Sequence, residues 1–306
     1  MTVVGAYAAK TDTGRKRRRN EDAFVLAPPL FAVADGMGGA QAGEIASKLA
    51  AAALEDTDPG RVTGPERVAS LIQEANRRVH ERSSVDPATS GMGTTMTVAL
   101  VEDDGVVIGH VGDSRAYLVR GHEIEQITED HSLVNELLKS GKLSAEEAET
   151  HPQRSVITRA VGTDPDVDVD SFVVDTQDGD VFLICSDGLT DMVDDDAILG
   201  TVERHRDNLD RLTKQLVTAA NRGGGEDNIT VVAFSIGKLD GADLGDTATM
   251  EAVALPVDED TTEDVVVHAS DDVLLAGPSA VRVRVVLATL ILLAIVVSLL
   301  LWGLMR

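Results

Sequence analysis

Short apolar runs that come in pairs across glycine-bearing turns restrict the fold of this chain more than any other feature. Residues 94–101 and 106–111 flank Glu102-Asp103-Asp104-Gly105, residues 116–119 and 123–127 flank Arg120-Gly121-His122, and residues 171–174 and 181–185 flank Asp178-Gly179. Glycine supplies the positive φ that a tight strand reversal needs, so each pair reads as a β-hairpin. Helical periodicity occupies residues 43–54, 65–82 and 209–222, with a shorter polar helical stretch over 132–149. The helices are grouped outside the strand runs instead of alternating with them. That order predicts an α+β layered domain on antiparallel sheets, not a doubly wound parallel sheet.

The last part of the chain departs from this pattern. Residues 285–305 are 21 residues without a charge, and at ~1.5 Å rise per residue they match the ~30 Å hydrocarbon core of a bilayer. A single transmembrane helix with short basic flanks is expected over residues 281–306. Arg282 and Arg284 precede the apolar run, Trp302 suits an interfacial depth, and Arg306 follows. The positive-inside tendency then puts the preceding part in the cytoplasm, with no extracytoplasmic domain expected after Arg306. Residues 1–10 lack the basic start, apolar stretch and cleavage site of a signal peptide, which agrees. Residues 239–280 hold 11 Asp or Glu and no Lys or Arg, the composition of a self-repelling extended linker. The folded domain is therefore expected over residues 1–238. Cys185 is the single cysteine; it cannot form an intrachain disulfide and fits a reducing compartment.

Charge narrows the function. The chain carries 27 basic and 52 acidic side chains, a formal net charge of −25. Residues 1–238 contribute 24 basic against 41 acidic residues, net −17. A polyanionic partner such as nucleic acid is excluded, since its binding relies on cationic neutralisation. Acidic motifs fall where strands should end: Asn20-Glu21-Asp22, Asp35-Gly36, Gly112-Asp113, and Ser186-Asp187-Gly188 with Glu226-Asp227-Asn228. Each alone is an ordinary turn or cap sequence. Delivered together by apolar runs such as Phe31-Ala32-Val33-Ala34, they would make carboxylates converge, which is costly unless divalent cations neutralise them. Oxygen ligands with few histidines suit Mg²⁺ or Mn²⁺ better than Zn²⁺.

The order and spacing of these motifs resemble the metal-dependent protein phosphatases of the 2C class, bacterial branch. The matching pieces are Thr11-Asp12-Thr13-Gly14 with Arg17, Asn20 and Asp22; Asp35-Gly36-Met37-Gly38-Gly39; Ser90-Gly91-Met92-Gly93-Thr94-Thr95; Gly109-His110-Val111-Gly112-Asp113-Ser114-Arg115; Asp130-His131-Ser132; His151-Pro152-Gln153-Arg154-Ser155; Ser186-Asp187-Gly188-Leu189; and Glu226-Asp227-Asn228-Ile229-Thr230. The resemblance implies two packed antiparallel β-sheets flanked by helices, a four-layer sandwich. It implies that Asp35 bridges two ions, that Gly36 offers its carbonyl to one of them, and that Asp187 and Asp227 hold the other. It implies a third ion at Asp113 and Asp187, joined by the backbone of Ser155, metal-held waters at Glu21 and Asp22, and phosphate binding by Arg17. Two Mn²⁺ or Mg²⁺ ions, with the third, would be the cofactor. Ions ~3.5–4 Å apart would activate a water for in-line attack on phosphorus without a covalent enzyme intermediate.

One position departs from eukaryotic relatives: Met37 stands where they carry a histidine after Asp-Gly, so the proton donor to the leaving group must be sought elsewhere, with His110 and His131 as candidates. Cysteine-phosphatase chemistry is excluded because the sixth residue after Cys185 is Asp191, not Arg, and Cys185 reads as a buried strand residue. The glycines at 36, 38 and 39 make no phosphate loop, because no Gly-Lys-Ser/Thr follows. The expected protein is a membrane-anchored, cytoplasm-facing phosphatase acting on phosphoserine and phosphothreonine of proteins and opposing Ser/Thr protein kinases. The alternatives are a non-catalytic tethered pseudophosphatase and a dedicated regulator of one phosphoprotein. Thr247, Thr249, Thr261 and Thr262 in the linker are candidate phosphorylation sites.

Overall fold

The central strands of this domain are apolar on both sides, and that property stacks the strands into two sheets with helices outside. In the strand Val181–Cys185 every residue is buried, Val181, Leu183 and Cys185 in one apolar cluster and Phe182 and Ile184 in another. The computed structural model describes residues 2–237 apart from 40, 57–61 and 150. The expected acidic linker at 239–280 and transmembrane helix at 281–306 lie outside the described residues. Among the described residues no helix is long and apolar enough to cross a membrane.

In chain order the elements are β1 (Val4–Asp12), β2 (Asp22–Ala27), β3 (Leu30–Met37), α1 (Ala42–Asp56), α2 (Gly64–Val85), a 3-10 turn at Pro87–Thr89, β4 (Gly93–Thr94), β5 (Met96–Glu102), β6 (Gly105–Val111), β7 (Arg115–Arg120), β8 (Glu123–Gln126), α3 (Leu133–Lys139), α4 (Ala145–Glu149), β9 (Asp170–Val174), β10 (Val181–Cys185), α5 (Asp187–Thr190), α6 (Asp195–His205), α7 (Leu209–Gly223) and β11 (Ile229–Ile236). One sheet has the order β1-β11-β10-β7-β8; the other is β2-β3-β5-β6-β9, with β4 paired to β3. Helices α1 and α2 cover the second sheet through Ala46, Ala50, Val68 and Ile72, while α6 and α7 cover the first through Ile198, Leu212 and Leu216. Between the sheets Phe234 stacks on Phe31 at 4.3 Å and on Phe182 at 5.1 Å between ring centroids. Such pairs contribute ~0.5–1.5 kcal/mol each beyond the area they bury. The α+β class, the two antiparallel sheets and the four layers are thus as expected.

Two of the three expected hairpins form: β5 and β6 pair from Met96↔Val111 to Glu102↔Gly105, and β7 and β8 from Tyr117↔Gln126 to Arg120↔Glu123. The third does not. β9 pairs with β6 in one sheet, whereas β10 pairs with β7 and β11 in the other. The Asp178-Gly179 turn is real, with Gly179 at φ 89°, but it carries the chain from sheet to sheet. Its Gly179 N–H donates to the Ile236 carbonyl at 2.9 Å, and Asp180 receives the Arg120 guanidinium at 2.7 Å. Turn chemistry signals a reversal without saying which sheet receives the returning strand. The polar stretch 132–149 likewise divides into two short helices, α3 and α4.

Candidate active site

The acidic motifs do converge, and each is placed by a neighbour that cannot be exchanged freely. The β2–β3 register sets Asp22 opposite Asp35. Thr94 and Thr95 brace Asp35 through its backbone: Asp35 N–H donates to Thr95 Oγ1 at 2.9 Å, and its carbonyl accepts from Thr94 Oγ1 and Thr95 N–H, both at 2.8 Å. Gly36 lets α1 approach this strand, since a Cβ there would run into the carbonyl of Gly43. Asp187 opens α5 directly after β10. A Cβ on Gly188 would collide with the Asn228 carbonyl, so glycine is what brings the Asp187 and Asp227 segments together. Asp113 follows Gly112, which holds φ 112° at the end of β6.

Below the cleft, Asp22 is buried at 7% exposure. Its Oδ2 accepts from Thr230 Oγ1 at 2.6 Å and from Ser186 Oγ at 2.9 Å, two hydroxyls of the opposite sheet. Burial, with the charge of Asp227 and despite those hydrogen bonds, pushes the Asp22 carboxyl up to about 6. Asp113 is likewise pushed up to about 6 by burial and then by Asp130. Asp35 and Asp187 are raised well above the carboxylate range, first by desolvation, then Asp35 by Asp22, Asp187, Asp113 and Asp227, and Asp187 by Asp113, Asp227, Asp191 and Asp22. Asp22 Oδ1 and Asp187 Oδ1 are buried and accept from no protein donor. A buried carboxylate oxygen without a donor is expensive, and a cation is the partner that suits oxygen ligands of this kind. The donor chemistry therefore fits a hard divalent ion. Among the described residues no three His, Cys, Asp or Glu side chains close on one point.

Arg17 faces the same cluster. Its guanidinium donates to Asp227 Oδ2 at 2.5 Å. Burial alone would lower this group; Asp227, followed by Glu21 and Asp35, more than offsets that and raises it. Comparison with known proteins decides what this constellation belongs to. The family model described as protein phosphatase 2C matches residues 14–222, a span running from just before Arg17 through Asp35, Asp113 and Asp187. The chain belongs to the protein phosphatase 2C family. As a member it is an enzyme of the serine/threonine protein phosphatase class. The serine/threonine phosphatase stp of Listeria monocytogenes is 42% identical over 234 residues, covering 73% of this chain and 92% of that protein. The crystal structure of the Mycobacterium tuberculosis serine/threonine phosphatase PstP/Ppp matches at 38% identity and TM-score 0.72, covering 77% of this chain and all of that one. A structure of the PstP catalytic domain in complex with two manganese ions matches at 36% identity and TM-score 0.69, over 77% of this chain and 99% of that one.

The remaining expected site residues of this protein phosphatase 2C fall into two groups. Asp113, Asp187 and the exposed Ser155 line one cleft of about 660 Å³ together with Arg154 and Asp191. Glu21 lies beside the cluster, its N–H bonded to Asn228 Oδ1 at 2.7 Å and its carboxyl raised by burial. The two histidines go elsewhere. His110 is buried between Thr97 Oγ1 at 2.9 Å and the Glu129 carbonyl at 3.0 Å, and burial pushes it down to about 4. His131 Nδ1 accepts the Gly112 N–H at 3.0 Å, which puts its proton on Nε2, toward Asp170 at 3.1 Å. His131 supports the turn that carries Asp113, and neither ring lines the 660 Å³ cleft. Cys185 is fully buried as expected, and burial pushes its thiol up to about 12. Sequence reasoning passed over Asp191, which receives Arg154 at 3.3 Å across the cleft, and the bracing roles of Ser186 and Thr230. The motif strings contain those two hydroxyls, but only the sheet-to-sheet contact reveals what they hold.

Proposed function

We propose that this phosphatase removes phosphate from phosphoserine and phosphothreonine of proteins with two Mn²⁺ or Mg²⁺ ions, opposing Ser/Thr protein kinases. The observation that carries the reading is the pair Asp35 and Asp187, half-buried carboxylates delivered by β3 and by the end of β10 and both raised well above the carboxylate range within one acid cluster, beside an unpartnered Asp187 oxygen and Arg17. Asp35 and the Gly36 carbonyl would hold one ion, and Asp35, Asp187 and Asp227 the other. Asp113, with Asp187 and the Ser155 backbone, would hold a third. Bound divalent ions supply a water acidic enough to attack at neutral pH and neutralise the phosphoryl oxygens. Arg17 orients the phosphate: its planar fork matches two phosphoryl oxygens, and Asp227 fixes where the fork starts. Ser186 and Thr230 keep one oxygen of Asp22 occupied, which leaves its buried Oδ1 without a protein donor.

The full chain should hydrolyse p-nitrophenyl phosphate and a phosphothreonine peptide with Mn²⁺, stop in EDTA, and stop again as Asp35→Ala or Asp187→Ala while circular dichroism shows a folded domain. Turnover that persists in EDTA overturns the mechanism. The pseudophosphatase reading has no support in the cluster, where none of Asp35, Asp187 and Asp227 is missing.

Membrane attachment is part of the same proposal. The apolar run 285–305 behind Arg282 and Arg284 would anchor the chain with its phosphatase domain in the cytoplasm. Recovery of the full chain in the soluble fraction, alongside a version ending at residue 280, would sink this.

A further inference from the structure

Five consecutive cations, Arg15, Lys16, Arg17, Arg18 and Arg19, surround the guanidinium that meets Asp227 of the acid cluster, and the proposed chemistry uses Arg17 alone. All five are exposed. Elsewhere in residues 1–238 the longest run of Lys or Arg is the pair Arg77-Arg78, and those two are tied to Glu74, Glu81 and Asp56. Within the run, Arg17 pairs with Asp227, and Arg19 donates to the Gln41 side-chain oxygen once that amide is turned to satisfy both partners. The side chains of Arg15, Lys16 and Arg18 have no hydrogen-bonded or ionic partner among the described residues. In a domain of net charge −17 carboxylates are plentiful, yet these three cations face solvent beside a cluster of them.

A charge run is most often a solvated face, and two observations set this one apart. The backbone beneath it is fixed. Arg15 N–H and Lys16 N–H both donate to the Gly225 carbonyl, at 2.7 and 3.2 Å, and Asn228 Nδ2 donates to the Thr13 carbonyl at 3.0 Å and the Arg19 carbonyl at 2.8 Å. Gly14 closes the turn at φ 78°, against the Asp227 carbonyl. The run is also centred on Arg17, which meets Asp227 and which the proposed function puts at the phosphate. A peptide advances ~3.3 Å per residue and successive Cα atoms of the loop lie ~3.8 Å apart, so the cations flanking Arg17 are in reach of the residues flanking a bound phosphoresidue. The acidic domain as a whole repels an anionic substrate, and a run of five exposed cations offsets that repulsion locally.

Taking the site as a phosphatase centre, we propose that Arg15, Lys16 and Arg18 form a docking rim that selects phosphoprotein segments carrying further negative charge beside the target residue. The charge can come from Asp or Glu or from a second phosphate; the ligand chemistry is the same.

The test compares three phosphothreonine peptides of one length on the full chain with Mn²⁺: neutral neighbours, Asp and Glu neighbours, and a second phosphothreonine two positions away. The unmodified chain should show kcat/KM about tenfold higher for the anionic peptides, the increment of a few exposed ion pairs, shrinking as NaCl rises from about 50 to about 300 mM. The triple variant Arg15→Gln, Lys16→Gln, Arg18→Gln should keep its rate on p-nitrophenyl phosphate and on the neutral peptide and lose the preference. A preference for the acidic peptide alone, or for the doubly phosphorylated one alone, identifies the source of charge and supports the rim. Equal kcat/KM for all three peptides overturns the proposal, as does a preference that survives in the triple variant. So does an unchanged peptide preference accompanied by lost binding to phosphatidylglycerol vesicles, which would assign the run to a membrane surface. If no peptide and no p-nitrophenyl phosphate is turned over, the reading of the activity fails instead, and the rim is still decided by fluorescence anisotropy of the same peptides: tighter anionic binding lost in the triple variant supports it, equal binding rejects it.

Discussion

Asp22 and Asp35 stand directly opposite one another across the β2–β3 ladder, and Asp22 is held from beneath by Ser186 and Thr230 of the other sheet. Like charges in cross-strand register oppose folding, so the pair couples the stability of the sandwich to whatever neutralises it.

Without divalent ions that coupling has a definite pH sign. A carboxyl raised in the folded state contributes stability that is fully present below its unfolded value, near 4, and is lost as pH rises through the folded value of about 6. In EDTA the Tm should therefore fall between about pH 4 and about pH 6, and Mn²⁺ at pH 7 should restore it. Asp22→Asn keeps the hydroxyl contacts, removes one charge, and should stabilise the ion-free protein above pH 6 by about 1–3 kcal/mol. Thermal melts of both proteins across that range check this; an identical pH slope in the variant contradicts it.

Arg17 is paired with Asp227 and exposed enough to meet a ligand. Arg17→Ala should lower kcat/KM for a phosphothreonine peptide about 10- to 100-fold, the scale of one lost charge-assisted hydrogen-bonded contact. Arg17→Lys should recover part of it, because an ammonium restores charge but not the two-pronged geometry. Steady-state kinetics with unchanged kcat/KM in the alanine variant would refute the assignment.

Cys185 lies two residues before Asp187 and takes no part in the chemistry. With its thiol pushed up to about 12 by burial, the folded protein should resist iodoacetamide at pH 7.5, and Cys185→Ala should retain metal-dependent turnover at a stability cost of about 1 kcal/mol. Rapid alkylation that abolishes activity would restore a nucleophilic role.

Gly188 separates two acid segments by the width of a missing methyl group. Gly188→Ala should displace Asp187 from the Asn228 backbone, destabilise the fold by about 1–3 kcal/mol and depress activity well beyond that loss. Melting curves and kinetics on the same sample separate the effects, and a variant with native rates would show the contact to be slack.

The layers were legible in the sequence because short continuous apolar runs and Gly turns are local properties. β5–β6 and β7–β8 needed no more than that. The β9–β10 crossover was not legible, since Asp178-Gly179 encodes a turn and leaves the receiving sheet to long-range packing around Phe172 and Phe182. Helix α6 was missed although Asp194 caps it, its carboxylate accepting from the Ala197 N–H at 2.8 Å; its apolar positions Ile198 and Val202 are too sparse for a periodicity signal. In the site, the convergence of Asp35, Asp113, Asp187 and Asp227 was legible because turn motifs mark strand ends. Asp191 was not, because its neighbour Arg154 is distant in sequence, and the histidines looked available because burial is invisible in a motif.

β11 is the last strand of the described chain, yet it sits second in its sheet, between β1 and β10, and its final residue Ile236 pairs with Val4. During synthesis on a ribosome β1 must wait for nearly the whole domain before its partner emerges, a topology of high contact order that folds slowly. Asp227 and Asn228 arrive immediately ahead of that strand. The nascent chain thus gains its central sheet and its acidic cluster in the same step, and a ribosome stalled earlier carries an open sheet edge and no working phosphatase.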